Sequence, residues 1–398
     1  MTKETFFIQV PPGLEDLALK EFHLKYINIE LQVPEPTVEK GGLLVKLPLE
    51  KGVALNSWLK IPNRILLRID HFKCRDLPKL FNRVSKLPLG HYFAGQDFSF
   101  HISSSASRLF DSRKIEATLK DALDRNFQRQ EPKKKAKERV SQWDQWRFYC
   151  RFQDDWCELS IDTTGERLGK RGDKSKVGRA PLRENLASAL YFAALQQNGL
   201  LNEMVQAEQR ITLVDPFAGS GTLLSEAANF FKPSQSREFT FSYFPVFNVN
   251  KNSTQNCDPK FQTPLTLIAG EKSEQQYQAL EENLKEFLPE CAHLYLGDSF
   301  DGKLHHLINE ISIKESSPIH LCLTNPPYGQ RIKDSKKMID LLNQIFHLYP
   351  FDRVGILMPK DAKLPQGNRV PYLHLKSYSF SHGGIPVVFS LWSKKETL

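Results

Sequence analysis

The sequence predicts an α/β protein: a mixed α+β first half, and a second half built on a mostly parallel sheet of seven strands. Three observations carry this. Beyond residue 211, short apolar runs alternate with stretches of helical length, the pattern of strands joined by crossover helices. Before about residue 170 the elements are short and strands follow one another closely. Two apolar runs of the second half end abruptly in polar loops, at residues 215–222 and 325–328. That is where open α/β sheets bind ligands.

The elements follow in order. Residues 6–10 read as a strand, Pro12-Gly13 turns it, and residues 14–24 carry Leu14, Leu17, Ala18 and Phe22 on one helical face. Gly41-Gly42 is a turn and residues 43–47 a strand. Residues 65–69 form another strand, extending toward Phe72, and residues 98–102 alternate as a strand does. Residues 115–127 have helical spacing. Residues 146–152 and 156–161 pair as a hairpin around residues 153–155. Residues 182–195 are helical. Strands are then expected at residues 211–215, 265–269, 294–296, 321–324 and 354–358, with a closing hairpin at 378–392 around Gly383-Gly384. One antiparallel strand is expected in this sheet. Residues 230–264 form a long aromatic-rich segment, and aromatic density argues for a small packed unit over a base-stacking surface.

The loop at 325–328 reads Asn325-Pro326-Pro327-Tyr328. Consecutive prolines cannot continue a ladder, since neither has an N–H. The strand stops there and leaves a carboxamide at its carboxyl end. The Asn325 oxygen and the Pro326 carbonyl can both accept from one –NH2 group, and Tyr328 can stack on a flat ring. This is a site for a planar molecule with an exocyclic amine. The loop at 215–222 reads Asp215-Pro216-Phe217-Ala218-Gly219-Ser220-Gly221-Thr222. Gly219 and Gly221 let the backbone approach a ligand, and Ser220 or Thr222 can cap the next helix. Leu224 occupies the third glycine position of a dinucleotide fingerprint, and no P-loop lysine is present, so neither nucleotide reading holds.

The chain has 398 residues, more than one ordinary core organises, which points to two or three domains. Its net charge of +8 favours a polyanionic partner without naming one. Six cysteines lie at positions 74, 150, 157, 257, 291 and 322 without metal or disulfide spacing. His305-His306 also lacks metal spacing, so no metal is expected. No apolar run approaches the length of a membrane span, and the first residues lack a signal-peptide core. A cytoplasmic protein is expected.

With these motifs in place, residues 215–222 and 325–328 resemble the cofactor and catalytic loops of class I S-adenosylmethionine-dependent methyltransferases that modify amino groups. The likeness extends along the chain. Residues 6–15, Phe-Phe-Ile-Gln-Val-Pro-Pro-Gly-Leu-Glu, and residues 62–69, Pro-Asn-Arg-Ile-Leu-Leu-Arg-Ile, resemble THUMP-domain RNA methyltransferases. Residues 159–172 and 180–187 are similar to that family's junction between RNA-binding and catalytic parts. The resemblance is to the guanine-N2 methyltransferases of 23S ribosomal RNA and their tRNA relatives. It implies a ferredoxin-like segment at 1–60, a THUMP domain at 61–165 and a Rossmann-like methyltransferase domain at 166–398. It covers only the first activity of the longest members, which carry a second methyltransferase half.

The resemblance also implies roles. Asn325, Pro326, Pro327 and Tyr328 would hold the target base. Asp215, Phe217, Ala218, Gly219, Ser220, Gly221, Thr222, Asp298 and Asn325 would line the S-adenosylmethionine site, with Asp298 accepting the adenine amine. Pro181 and Leu182 match a segment that lies over the cofactor. The family's acid for the ribose stands two residues after the glycine that ends the second strand, and here that position is Lys272. Glu271 is the replacement expected, with Glu274 as the fallback. For RNA, the junction residues Lys170, Arg171, Lys174, Lys176 and Arg179 are favoured for phosphate contacts, and the run at 125–139 is the other candidate. The expected activity is guanine-N2 methylation of structured RNA, 23S rRNA first, by a monomer. The alternatives are tRNA as substrate, or a non-catalytic RNA-binding or assembly factor. DNA methylation uses a similar Asn-Pro-Pro-Tyr loop but leaves residues 1–170 without a role.

Overall fold

The computed structural model describes residues 3–93, 98–129, 146–171, 182–197, 200–201, 210–234, 237–247, 265–315, 318–327, 335–363 and 370–395. Two seven-stranded sheets organise them. The first uses β1 (Lys3–Gln9), β2 (Thr37–Glu39), β3 (Gly42–Pro48), β4 (Arg64–Lys73), β5 (Phe98–Ser105), β6 (Trp146–Gln153) and β7 (Trp156–Asp162), in the order β2-β3-β1-β4-β7-β6-β5. All its pairs are antiparallel except β5 with β6. Strand alternation puts Phe6, Ile8, Ile65, Leu67, Phe148, Phe152 and Leu159 on one face, all buried. The helices α1 (Glu15–Tyr26), α2 (Leu49–Trp58), α3 (Leu77–Val84) and α4 (Ser112–Arg129) bury Phe22, Leu55, Leu80 and Leu119 in the same core. Local chemistry places the ends. Asp76 caps α3 by accepting from the Lys79 N–H at 2.8 Å. Asp154 and Asp155, at φ 52° and 62°, form the tight turn between β6 and β7.

The second sheet contains β8 (Ile211–Asp215), β9 (Leu265–Glu271), β10 (Ala292–Leu296), β11 (Ile319–Thr324), β12 (Arg353–Pro359), β13 (Tyr372–His382) and β14 (Ile385–Lys394). Its order is β10-β9-β8-β11-β12-β14-β13, and β14 alone runs against the rest, as expected. Both faces are covered, so its central strands are mostly apolar, with polar residues chiefly near their ends. Leu213, Leu267, Leu323 and Leu357 face the core that holds α5 (Glu184–Leu195), α6 (Thr222–Ala228) and α7 (Glu274–Leu284). Val214, Ile268, Cys322 and Ile356 face α8 (Lys303–Lys314) and α9 (Ser335–Leu348).

One hydrophobic core runs through both halves. Aromatic residues of the segment after α6 lie in it, Phe241 and Phe247 at its edge. Phe230, Phe231, Phe239 and Phe244 are buried, so the described part of this segment packs inward, as its aromatic density implied. It docks on the first half: Ser234 N–H donates to the Ser57 carbonyl at 2.8 Å, and Phe244 meets the rings of Tyr92 and Trp146. Residues 1–60 and 61–165, read as separate units from the sequence, contribute strands to one sheet, since β4 pairs with β1 on one side and β7 on the other. The sequence reading had no strand at β2 and no helices at α2 and α3. β2 has three residues, α3 has eight, and α2 carries Gly52 pressed against the Phe6 ring. Each is too short or too irregular to show a period.

Candidate functional site

The strand order of the second sheet reverses between β8 and β11, and such a reversal leaves a crevice at the strands' carboxyl ends. Both polar loops lie there. Asp215 ends β8 and Asn325 follows β11, and the two strands are hydrogen-bonded neighbours. Thr324, the last residue of β11, ties them: its hydroxyl donates to Asp215 Oδ1 at 2.7 Å. The same oxygen accepts from the Phe217 N–H at 3.1 Å, which bends the chain into the glycine loop. Asp215 is buried, and burial pushes its carboxyl up to about 7, against the two hydrogen bonds and with the help of the nearby Glu271 charge.

Gly219 and Gly221 stand at φ 57° and 80°, so the loop depends on glycine at both places. Ser220 and Thr222 do not cap α6, contrary to expectation: the cap position is Gly221 and no side chain serves it. The loop is held from other elements instead. Ala218 N–H donates to the Gly270 carbonyl at 3.0 Å, Asn283 Nδ2 to the Ser220 carbonyl at 2.9 Å, and Ser299 Oγ to the Pro216 carbonyl at 2.7 Å. Sequence reasoning missed Thr324, Asn283 and Ser299. Asn283 left a signal, being a polar residue three places after Leu280 on the buried face of α7.

Glu271 is the last residue of β9, and its carboxylate accepts from the Gly219 N–H at 2.9 Å and the Ser273 N–H at 2.7 Å. It lines the crevice beside the glycine loop. Glu274 is exposed and lies outside the lining, so the fallback acid is not at the site. Lys272 is 77% exposed and reaches across the rim to Asp298 Oδ2 at 2.9 Å. Asp298 Oδ1 accepts from the Phe300 N–H at 3.1 Å, and the bonds from Lys272 and Phe300 hold its carboxyl below the usual range. Asn325 Oδ1 is buried and has no partner among the described residues. Tyr328 lies outside the described residues.

The crevice measures about 1480 Å³ and takes in Leu182, Asp215, residues 216–220, Thr222, Glu271, Asp298 and Asn325–Pro327, with the hairpin turn at His382 and Gly383 on its rim. That exceeds the roughly 300–1,000 Å³ of a small-molecule pocket, enough for two ligands side by side. Asp215, Glu271, Asp298 and Asp301 face it against Arg183 and Lys272, so the lining favours a cationic or donor-rich ligand. Gly221 lies behind the lining, where it packs on Leu280.

The phosphate candidates divide. Lys170 is exposed and, among the described residues, forms an ion pair with Glu166 alone, at 3.1 Å. Arg171 is 2% exposed, which removes it from any phosphate track. Its guanidinium donates to Glu226 at 2.9 Å, to the carbonyls of Leu168 and Lys60 at 2.8 and 2.9 Å, and to Ser188 at 3.2 Å. It is a junction residue, buried because the first half closes over it. Lys174, Lys176, Arg179 and Pro181 lie outside the described residues, as do residues 130–139 of the other basic run. His305 is half-buried and bonds the Leu348 carbonyl at 2.8 Å. No metal-binding cluster occurs among the described residues.

Comparison with known proteins places this geometry. Residues 171–349 match a family model described as RMKL-like, methyltransferase domain. Ribosomal RNA large subunit methyltransferase K/L of Psychromonas ingrahamii is 26% identical over 359 residues, 86% of this chain and 43% of that protein. The chain spans about half the length of the curated relatives it first matches. Among solved structures, a possible methylase from Clostridium difficile 630 superposes with a TM-score of 0.74 at 22% identity, covering 100% of this chain and 99% of that one. The protein SMU.472, solved as a complex with SAH, gives 0.72 at 21% identity over all of both chains. The fold, a Rossmann-like methyltransferase sheet behind an α/β first half, is shared with these.

Proposed function

We propose that the chain binds S-adenosylmethionine in the crevice and transfers its methyl group to the exocyclic N2 amine of a guanine in structured RNA, with 23S rRNA as the substrate. The reading takes residues 166–398 as the catalytic domain and residues 1–165, a ferredoxin-like segment and a THUMP domain, as the RNA-binding part. The Psychromonas relative, a ribosomal RNA large subunit methyltransferase by name, and the SAH bound to SMU.472 support it. The observation that carries it is Asn325 Oδ1, a buried acceptor with no partner among the described residues, at the carboxyl end of β11. Leaving such an atom unpaired costs about 1–3 kcal/mol. An amine donated by a ligand offsets that cost.

S-adenosylmethionine, when bound, supplies a methyl group on a positively charged sulfur. The residues fit it: a glycine loop open to close approach, the Glu271 and Asp298 carboxylates at the strand ends, and a crevice of negative character. The lone pair of a guanine amine is shared with its ring. Asn325 and the Pro326 carbonyl, as two acceptors, draw that amine toward pyramidal geometry and stabilise the positive charge that develops on it. Holding the amine in line with the methyl group supplies much of the remaining rate. The methylated amine is acidic and loses its proton to water, so no general base is assigned. Asp215 sets the angle of Asn325 through Thr324 and orders the glycine loop through Phe217.

Labelled S-adenosylmethionine incubated with large-subunit rRNA should give N2-methylguanosine on nucleoside digestion. Asn325→Ala should lose most single-turnover transfer while binding the cofactor as wild type does. Near-normal transfer by this variant would sink the amine-acceptor role. Product from tRNA and none from rRNA would replace the substrate while keeping the chemistry.

A further inference from the structure

The first sheet carries its helices on one face, and the opposite face of β5, β6 and β7 bears a different set of side chains. Alternation puts Arg147, Tyr149 and Arg151 there, opposite the buried Phe148, Cys150 and Phe152. His101 and Tyr149 are direct partners across β5 and β6, and their rings stack at 4.7 Å with 17° between planes. A second stack, His71 on Trp156, stands on the same face at 4.8 Å and 27°, and Trp156 is 44% exposed. The two stacks lie roughly 13 Å apart along the strands.

The charges around them are one-sided. The acids of this face are already engaged: Asp162 by Arg64 and Arg147, and Glu158 by Arg68. Arg167 is exposed and forms no ion pair among the described residues, and neither does Arg151. Partial burial and then the cations of Arg64, Arg147 and Arg167 hold the His101 imidazole below its ordinary range. Its ring is therefore neutral at pH 7, and of those three cations Arg167 forms no ion pair among the described residues, while Arg64 and Arg147 face Asp162 and Glu166. Flat neutral rings edged by guanidiniums fit an unpaired nucleobase and its phosphate, since every base has a face to stack and every nucleotide a negative charge. A protein partner of acidic character would meet the arginines but leave the stacked rings without a counterpart.

We infer that this open face binds an unpaired stretch of the RNA substrate, with His101–Tyr149 and His71–Trp156 as stacking platforms and Arg167 and Arg151 as phosphate contacts. The inference rests on the RNA reading above. It adds a site outside the methyl-transfer crevice that takes single-stranded nucleotides, and it gives the first half a direct part in choosing the target.

The test is fluorescence anisotropy of the full chain with a short fluorescein-labelled single-stranded RNA of mixed sequence. A duplex of the same sequence serves as comparison, and S-adenosylmethionine calorimetry reports the fold of each variant. His101→Ala combined with Trp156→Ala should weaken single-strand binding about ten-fold or more, from loss of base stacking. Arg167→Glu should weaken it and flatten its salt dependence. Tyr149→Phe should bind as wild type, since the ring does the stacking. Unchanged binding in both the double variant and Arg167→Glu overturns the inference and leaves the RNA reading standing. Wild-type preference for the duplex overturns it too. A wild type that binds neither these RNAs nor rRNA overturns both.

Discussion

Asp215 is almost fully buried at the back of the crevice, and its two hydrogen bonds do not repay the burial of a full charge. Its carboxyl sits near 7 in the folded chain and near 4 unfolded. The folded state therefore binds a proton that the unfolded state releases between those values, and stability falls as pH rises from about 4 through about 7. Asp215→Asn keeps both hydrogen bonds without the charge. Denaturant melts should show this variant losing less stability than wild type across that window, with the gap largest above pH 7. Equal slopes would place the carboxyl in water. Asp298 makes a different prediction. If it accepts the adenine amine, Asp298→Ala should weaken S-adenosylmethionine by about 1–3 kcal/mol. The Lys272 ammonium occupies the same carboxylate in the free protein. Lys272→Met gives up an exposed pair worth at most about 1 kcal/mol and removes a competitor, so calorimetry should show slightly tighter cofactor binding. Weaker binding would mean that Lys272 itself touches the ligand. At this scale the sequence showed which polar residues end strands, because a carboxylate or carboxamide after an apolar run stands out. It could not show Thr324 and Asn283 at work, since their partners are 109 and 63 residues away.

Elements with a clear period were legible: every strand of the second sheet, the β6–β7 hairpin and helices α1, α4 and α5 were expected, most within a few residues, though β13 begins six residues before the expected Tyr378. Apolar alternation and helical spacing are local properties, so they survive in the sequence. Pairing is not local. The joining of β1 to β4, which makes one sheet of two sequence segments, is fixed by contacts that no window contains. The glycine loop shows how one element rests on another. A Cβ on Gly221 would stand 2.7 Å from Leu280 Cδ1, at a φ of 80° that side chains rarely adopt. Gly221→Ala should therefore destabilise the chain by about 1–3 kcal/mol and weaken cofactor binding, through strain and displacement of α7. A wild-type melting temperature would show that α7 yields without cost.

Between the halves lies a buried set of charges. Arg171 meets Glu226, and nearby Lys25 meets Glu21 at 2.7 Å while its ammonium lies 3.6 Å from the centre of the Phe230 ring. Burial lowers Lys25 to about 8 despite Glu21. Arg171 was taken from the sequence as an RNA contact because it stands in a basic stretch at the domain junction, and such a stretch looks the same whether it faces water or a second domain. Arg171→Met should cost about 3–5 kcal/mol, because it strands Glu226 in the interior. Differential scanning calorimetry would read this as a lowered Tm, while Lys170→Ala, at an exposed position, should leave Tm unchanged. Arg237 closes the same junction from the other side, donating to the carbonyls of Glu166, Arg167 and Lys170. That clip has a consequence for dissection. Cutting the chain after residue 165 would separate residues 230–247 from the surface they cover, leaving Tyr92 and Trp146 without Phe244. A soluble first half, or a chimera that borrows it, must carry that aromatic strap along, although the strap is encoded some 70 residues into the other half.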